Sequence, residues 1–204
     1  MVIDDETFKS FYRVGKDLSN RKLNASHSGN ISIRSGGKII IKKRAAMLGW
    51  LEKEDLVECD LEHEDSSAFL ASTELIVHRE IYKQTDAMAV IHAHAPYCTT
   101  LSMIMDDIKC IDAEGIFMYK RIPVVEVDVP AGPYDAAKAV PPILKNYPAC
   151  IIRSHGIFAK GNTLEDALQV VTGVEQSAEI IYLTLLAGKP LKRDYSVEKE
   201  FCKW

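Results

Sequence analysis

One set of apolar positions recurs every three or four residues, which is the spacing of a helix that packs one face against a core. Phe8, Phe11 and Leu18 keep that spacing, so a first helix is predicted from Thr7 to about Asn20. The predicted helices are 7–20, one that starts at Ser72-Thr73-Glu74, 96–105, 136–145 and one that runs from Thr163 to just before Gly188.

Other stretches are short apolar runs bounded by glycine, proline or polar residues, which is typical of strands. The predicted strands are 31–34, 39–41, the run that ends in His92-Ala93-His94, 122–127, 149–154 and 157–159. A hairpin turn at 35–38 joins the first two, and segment 45–70 is less regular. Since no repeat or linker divides the chain, one domain is expected over 1–190, with a charged tail, 191–204, that is either mobile or folded over a site.

His92 and His94 lie at the end of a predicted strand, after Val90 and Ile91. Residues two apart on a strand point to the same face, so the two imidazoles are predicted to lie side by side. Two neutral imidazoles on one face are half of a zinc site, because a catalytic zinc takes three protein ligands and keeps one open position. A His-X-His pair taken alone is more often a packing or surface feature.

Four other stretches carry polar groups that could serve a site. The loop Ser28-Gly29-Asn30 is either ordinary turn chemistry or a set of backbone N–H groups that cradle an anion. Lys42-Lys43-Arg44 is either a solvated strand end or a phosphate-neutralising group. In Ser72-Thr73-Glu74, Ser72 or Thr73 is the expected helix cap and Glu74 the expected first-turn acid. His155, between two apolar strands, could be a core histidine.

Composition narrows the function classes. The 204 residues are 47% apolar and 26% charged, as in an ordinary globular domain. A net charge of −4 without a long basic run argues against nucleic-acid binding. Five scattered cysteines suggest neither a disulfide framework nor a thiolate zinc site. With no signal-peptide pattern and no apolar run near the roughly 20 residues of a bilayer span, we expect a cytoplasmic protein without a membrane partner.

Four motifs, in this order, resemble the class II aldolase and adducin family, and in particular its L-fuculose-1-phosphate aldolase branch. They are Ser28-Gly29-Asn30-Ile31-Ser32, Ser72-Thr73-Glu74, His92-Ala93-His94 and His155-Gly156. Each motif is weak alone, but the ordered set is specific, and it favours metal binding by the histidines over the core-histidine interpretation.

The resemblance implies a fold, an assembly and an activity. The fold is a single-domain α/β three-layer sandwich, in which a largely antiparallel central sheet has helices on both faces. The assembly is a homotetramer with active sites where neighbouring chains meet. The activity is the zinc-dependent, reversible cleavage of a ketose 1-phosphate to dihydroxyacetone phosphate and a small aldehyde, for which zinc would act as a Lewis acid on the carbonyl.

The resemblance also implies residue roles. His92, His94 and His155 would hold one zinc ion per subunit. Glu74 would approach the metal, as a further ligand or as the group that transfers a proton at carbon. The substrate phosphate would lie on Gly29, Asn30, Ser72 and Thr73. The family usually carries a Thr-Gly pair after the second strand, where this chain has Lys42-Lys43-Arg44, and Arg44 could grip the phosphate instead.

A second departure leaves the proton donor to the aldehyde oxygen open. Fuculose-phosphate aldolases place a tyrosine from the neighbouring subunit after the His-X-His motif, whereas this chain has Asp112-Ala113-Glu114-Gly115 and then Tyr119. Glu114 and Tyr119 are therefore both candidates. A glutamate in this segment is similar to the acid/base residue of methylthioribulose-1-phosphate dehydratases, a branch that lacks an acid at the Glu74 position.

Two other functions remain as alternatives. An enzyme like the L-ribulose-5-phosphate 4-epimerases would use the same zinc, but that branch typically has aspartate where this chain has Glu74. A binding module like the adducin head domain would have lost its metal ligands, whereas this chain keeps all three histidines. The sequence therefore favours the aldolase.

Overall fold

Helices and strands alternate along the computed structural model, which describes residues 3–197. The helices are α1 Asp5–Asn20, α2 Leu75–Gln84, α3 Pro96–Ser102, α4 Ala113–Met118, α5 Pro133–Leu144 and α6 Leu164–Ala187. The strands are β1 Asn30–Ser35, β2 Lys38–Lys42, β3 Leu56–Asp60, β4 Ala89–Ala93, β5 Asp107–Lys109, β6 Arg121–Val125, β7 Ala149–Ile152 and β8 Gly156–Gly161. The predicted hairpin joins β1 to β2, with Ser35 opposite Lys38 and Gly36 at a φ of +59°.

The eight strands form one sheet in the order β3-β2-β1-β4-β8-β7-β6-β5. Neighbouring strands are antiparallel, except that β6 and β7 run parallel. In this register Asn30 lies opposite His92, and Ala93 lies opposite Ile157. The ends of β1, β4 and β8 therefore meet near the centre of the sheet.

Each face of the sheet carries its own apolar core. Phe11 of α1, Leu101 of α3 and Val174 of α6 belong to one core, together with Ile40 of β2. The other core contains residues of α2 and α5, together with Ile39 and Ile41 of β2. Successive residues of a strand point to opposite faces, so these three isoleucines feed both cores. The expected α/β sandwich, with a largely antiparallel sheet and helices on both faces, is confirmed.

The sequence analysis did not predict α4, β3 or β5. Segment 45–70, predicted to be irregular, contains β3, which pairs with β2 at one edge of the sheet. Glu58 and Asp60 interrupt its apolar pattern. At the other end of the chain, the last described element is a 3-10 helix, Tyr195–Val197. The predicted tail, 191–204, is therefore described only in part, since residues 198–204 lie outside the described residues.

Helix α6 corrects the expectation that no apolar stretch approaches the length of a bilayer span. It has 24 residues and a mean hydropathy of 1.2 over its most apolar window, which is enough by length and composition alone. However, Ala167, Val171 and Ala178 of α6 lie in the core against the sheet. Its buried Glu175 contacts the start of α3. Helix α6 therefore packs against the sheet as a core helix of the sandwich.

Glu175 provides a test of this packing. Its two carboxylate oxygens accept the backbone N–H groups of Tyr97 and Cys98, at 2.8 and 2.9 Å, in the first turn of α3. Replacing Glu175 with glutamine turns an amide N–H₂ toward one of these donors, and a buried donor left without its acceptor costs about 1–3 kcal/mol. We expect the Glu175→Gln variant to lose that much free energy of unfolding in urea. Glu165→Gln, at an exposed position of the same helix, should change it by less than about 1 kcal/mol.

Candidate metal centre and the adjoining cavity

The structure brings three histidines together at the meeting point of the central strands. His92 is in β4, His94 follows the end of β4, and His155 lies in the turn between β7 and β8. One ring nitrogen from each histidine lies within 4.8 Å of those of the other two. The Nε2 atoms of His92 and His94 are 3.0 Å apart, as expected for side chains two apart on one face of a strand.

Hydrogen bonding fixes which nitrogen of His92 faces the cluster. The Nδ1–H group donates to the carbonyl oxygen of Ile157 at 3.0 Å, so the Nε2 atom of the neutral ring carries a lone pair. The ring is buried and stacks on Phe158 with a centroid distance of 4.2 Å. Burial, reinforced by the neighbouring His155 and His94, keeps the pKa of His92 well below its usual value. His92 is therefore held neutral, as a metal ligand requires.

The turn that carries His155 depends on a glycine. A side chain on Gly156 would collide with the backbone carbonyl oxygen of Ala93, across the β4–β8 pair. Ser154, just before His155, has a φ of +59°, in the left-handed region that few residues other than glycine adopt. The close approach between β8 and β4 therefore requires glycine at position 156, directly after His155.

The cluster fits a divalent metal ion. Burial lowers the pKa of His94 as well, so at least two of the three rings favour the neutral form. The Nδ1 atom of His155 is buried without a hydrogen-bond partner in the described part of the protein. Three neutral imidazoles with a cavity on the remaining side are a donor set that zinc takes in catalytic sites.

Glu74 lies beside the histidines, immediately before the first residue of α2. Its carboxylate oxygen Oε2 is 3.5 Å from the Nε2 atom of His92 and accepts a hydrogen bond of 2.5 Å from Asn30 Nδ2. The predicted cap is borne out in part: Ser72 Oγ accepts the backbone N–H group of Glu74 at 3.4 Å, but the helix begins at Leu75, so Glu74 is the residue before its first turn and its side chain makes no capping hydrogen bond. Its carboxylate is instead directed to Asn30 and the histidines.

The residues predicted to bind phosphate line one cavity with the cluster. This cavity, of about 200 Å³, is also lined by Glu74, His94 and His155. The predicted phosphate residues around it are Gly29, Asn30, Arg44, Ser72 and Thr73. Gly29 has a φ of +71°, and a side chain there would collide with the amide of Asn24. The geometry therefore places an anion-sized space next to the candidate metal centre.

The sequence analysis named Lys42 only within a run read as a solvated strand end or a phosphate-neutralising group, and missed that Lys42 is buried beside this cavity. Its side chain is buried, and Nζ donates to the carbonyl oxygens of His27 at 3.0 Å and Ala46 at 2.7 Å. Burial lowers the pKa of this ammonium group to about 8. The signal was the period of the strand, because Lys42 lies two residues after the core residue Ile40 and so shares its inward face.

His78 was also missed. It is fully buried on α2, four residues after Glu74 and four before Tyr82. Its Nε2 atom lies 2.5 Å from Asn30 Oδ1, and Asn30 in turn donates to Glu74, so Asn30 connects His78 to Glu74. The signal was the spacing of Glu74, His78 and Tyr82, because residues four apart on a helix lie on the same face.

Glu114 and Tyr119 lie elsewhere in the single chain. Both line a second cavity, of about 700 Å³, between α4 and α6. The hydroxyl of Tyr119 donates to the carbonyl oxygen of Gln169 at 3.1 Å, and burial raises the pKa of this phenol. Within one chain these two residues therefore lie apart from the histidine cluster. Either residue would reach the histidine cavity only across a contact between two chains.

The sequence matches a known family over most of its length. The profile of the class II aldolase and adducin N-terminal domain matches residues 9–182. The L-fuculose phosphate aldolase of Methanocaldococcus jannaschii is 30% identical over 89% of this chain and 98% of its own length. The 5-methylthioribulose-1-phosphate/5-deoxyribulose-1-phosphate aldolase of Rhodospirillum rubrum is 27% identical over 86% of this chain and 80% of its own length.

The fold is similar to that of a solved aldolase. The crystal structure of L-fuculose-1-phosphate aldolase from Thermus thermophilus superimposes with a TM-score of 0.84 at 33% sequence identity. The match covers 91% of this chain and 98% of that one. The sequence comparison and the structure comparison thus both find similarity to L-fuculose-phosphate aldolases.

Proposed function

Because the chain belongs to the class II aldolase and adducin family, we propose that it is a metal-dependent aldolase of the L-fuculose-phosphate type. It reversibly cleaves a ketose 1-phosphate to dihydroxyacetone phosphate and a small aldehyde. The observation that carries this proposal is the single cavity in which Glu74, two of the clustered histidines and the five predicted phosphate residues meet.

In this proposal His92, His94 and His155 hold one zinc ion per subunit. Once bound, zinc supplies a Lewis acid that polarises the ketone carbonyl of the substrate. Imidazole ligands carry no negative charge and so leave the positive charge of the ion undiminished, and the hydrogen bond from His92 Nδ1 to Ile157 fixes the orientation of that ring. The open side of the cluster faces the cavity, where a substrate can enter.

Glu74 moves the proton at carbon. In the cleavage direction the C4 hydroxyl gives its proton to the group of a neighbouring chain assigned below, Glu114 or Tyr119, the bond between C3 and C4 of the ketose breaks, and C4 leaves as the aldehyde carbon. C3 keeps the electron pair of the broken bond and takes a proton from the Glu74 carboxyl group. In the synthesis direction the ionised Glu74 removes that proton again, which is the work of a positioned general base.

The substrate phosphate is held on the other side of the cavity. Backbone N–H groups around Gly29 and the polar groups of Asn30, Ser72 and Thr73 supply neutral donors. Arg44 supplies the charge, and its guanidinium can form a bidentate contact with phosphate oxygens. Lys42 ties together the two loops that form this wall, through His27 and Ala46.

Proton transfer to the aldehyde oxygen is assigned to a second chain. Glu114 or Tyr119 would reach the histidine cavity of a neighbour in a homotetramer with active sites between subunits. The exposed apolar side chains of Phe117 and Met118, next to these residues on α4, support a contact at that surface. We place the enzyme in the cytoplasm, which is supported by the free and buried state of Cys59, Cys98, Cys110 and Cys150.

Metal analysis and product identification test the proposed function. We expect about one equivalent of zinc per chain in the purified protein, and dihydroxyacetone phosphate from L-fuculose 1-phosphate only while the metal is present. Removal of the metal by a chelator should abolish the product, and added zinc should restore it. A dehydrated diketo phosphate from 5-methylthioribulose 1-phosphate would instead favour the dehydratase, and no metal with no product would favour a binding module.

A second substrate is favoured by one relative. The Rhodospirillum rubrum protein is an aldolase for 5-methylthioribulose 1-phosphate and 5-deoxyribulose 1-phosphate. Both are ketose 1-phosphates, so the chemistry proposed for Glu74 and the histidines applies unchanged. Comparison of kcat/KM for these two compounds and L-fuculose 1-phosphate, at one metal concentration, decides which aldehyde fragment the cavity prefers.

A further inference from the structure

A line of buried polar side chains leads from Glu74 into the interior between β1 and α2. Asn30 Nδ2 donates to Glu74 Oε2, and Asn30 Oδ1 lies 2.5 Å from His78 Nε2. On the far side of the imidazole ring, His78 Nδ1 lies 2.6 Å from Ser32 Oγ. Ser32 Oγ in turn lies 2.7 Å from the hydroxyl of Tyr82. All five residues are buried, and His78, Ser32 and Tyr82 are at most 1% exposed, so water does not compete for the contacts of the imidazole ring.

From Glu74 to Ser32, only one order of donors and acceptors satisfies this line. A carboxylate only accepts hydrogen bonds, so the Asn30 amide must turn its N–H₂ group to Glu74 and its oxygen to His78. His78 Nε2 must then carry the proton, which leaves Nδ1 as the acceptor of the Ser32 hydroxyl proton. Burial lowers the pKa of His78 to about 3, so the ring is neutral and carries a single N–H group.

We propose that His78 is a positioning residue that holds the Asn30 amide in this orientation and thereby aims the Glu74 carboxylate at the candidate metal centre. The inference rests on the proposed function of Glu74 as the group that transfers a proton at carbon. Without the N–H donor of His78, the Asn30 oxygen would lose its partner, and the amide could rotate. Glu74 would then lose its fixed donor, although nothing that contacts the substrate would have been removed.

Ser32, His78 and Asn30 give the line its direction. Ser32 donates to His78, His78 to Asn30 and Asn30 to Glu74, so these three hydrogen bonds point toward Glu74. At the interior end the Tyr82 hydroxyl donates to the backbone oxygen of Ser32 at 2.9 Å and packs its oxygen 2.7 Å from Ser32 Oγ. Hydrogen bonds arranged in one direction polarise and strengthen one another in a low-dielectric interior. A buried neutral histidine between Asn30 and Ser32 is thus explained without any contact between His78 and the substrate.

Two replacements of His78 test the inference by enzyme kinetics. His78→Leu places an apolar side chain of similar size next to Phe158 and removes the N–H donor to Asn30. We expect its kcat to fall about 10- to 100-fold, with bound metal unchanged, as is common when an outer hydrogen-bond partner is lost. KM should change by a smaller factor than kcat, because His78 itself contacts no substrate and the Asn30 amide is only one of the proposed phosphate-binding groups. His78→Gln can donate to Asn30 and accept from Ser32, so it should recover most of the lost kcat.

A second readout does not need activity. In protein labelled with ¹⁵N-asparagine, the side-chain N–H₂ protons of Asn30 should exchange slowly with solvent in the wild type and in His78→Gln. In His78→Leu they should exchange faster and shift in resonance frequency. A wild type that lacked aldolase activity but showed this pattern would overturn the proposed function and support the positioning role. Fast exchange of the Asn30 protons in the wild type would overturn the positioning role.

Turnover and the Asn30 signal of His78→Leu, measured together, can also overturn the inference. If His78→Leu turned over at the wild-type rate with an unchanged Asn30 signal, His78 would have no positioning role. Should His78→Leu fail to fold, Ser32→Ala replaces it as the test, because it removes the donor to His78 Nδ1 and leaves the imidazole in place. Ser32→Ala should then give a smaller loss of kcat in the same direction, and an unchanged kcat and Asn30 signal would overturn the inference.

Discussion

Replacing Glu74 with glutamine should reduce kcat for cleavage by about 10²- to 10⁴-fold, which is the usual contribution of a positioned general acid or base. Glutamine keeps the shape of the side chain, and its amide oxygen can still accept the hydrogen bond that Asn30 Nδ2 donates to Glu74. The proton-transfer group is lost while the surroundings remain. The bound metal should therefore stay at the wild-type level, and KM should change little.

Steady-state kinetics, metal analysis and deuterium exchange measure these effects together. In deuterium oxide the wild type should exchange the C3 proton of dihydroxyacetone phosphate without any aldehyde present, and Glu74→Gln should not. The matched control is Glu80→Gln, because Glu80 is a half-exposed acid on the same helix, next to Lys83. Near-wild-type kcat and exchange in Glu74→Gln would contradict the proposed role of Glu74.

The sequence predicted the histidine cluster because strand geometry alone decides part of it. His92 lies in β4 and His94 directly follows its last residue, so the two-residue period of a strand places both side chains on one side. The third histidine needed the order of the strands, since β8 pairs with β4 and brings His155 to the same edge. The sequence did not predict that pairing; His155 was implied as a ligand only by the resemblance to the family, and membership of that family is confirmed by the profile match over residues 9–182.

The sequence did not predict the polar interior around the site. A buried lysine and a buried histidine are identified by the partners that surround them, and these come from distant parts of the chain. Lys42 is held by His27 and Ala46, and His78 by Asn30 and Ser32. Single-sequence patterns assign charged residues to the surface, because burying a charge costs free energy unless specific partners compensate.

Glu114 and Tyr119 show a different limit. A neighbouring chain would bring either residue to the histidine cavity, whereas the fold of one chain places both in a separate cavity. Motif order along one chain says nothing about which residues two chains bring together. Their roles therefore stay predictions, whereas the position of Glu74 beside His92 is a property of the single chain.

The second large effect is expected from His94→Ala, which should lower the affinity for the metal by more than about 100-fold, since loss of an outer partner alone costs 10- to 100-fold. His94 is the better ligand to remove than His92. His92 is fully buried, stacks on Phe158 and binds the carbonyl oxygen of Ile157, so its loss would leave a cavity and an unpaired acceptor. His94 is only partly buried beside the cavity, so the fold should survive its replacement.

Metal content after dialysis against a weak chelator measures the effect on affinity, and circular dichroism checks the fold. The matched control is His63→Ala, an exposed histidine far along the chain from the cluster, which should keep both metal and activity. Turnover by His94→Ala should be negligible at low zinc and should not return fully at high zinc, because the open geometry of the site has changed. A His94→Ala protein that kept one equivalent of tightly bound metal would show that the ion is held elsewhere. In that case the three-histidine cluster would lose its assigned role, and the proposed chemistry of Glu74 would lose its electrophile with it.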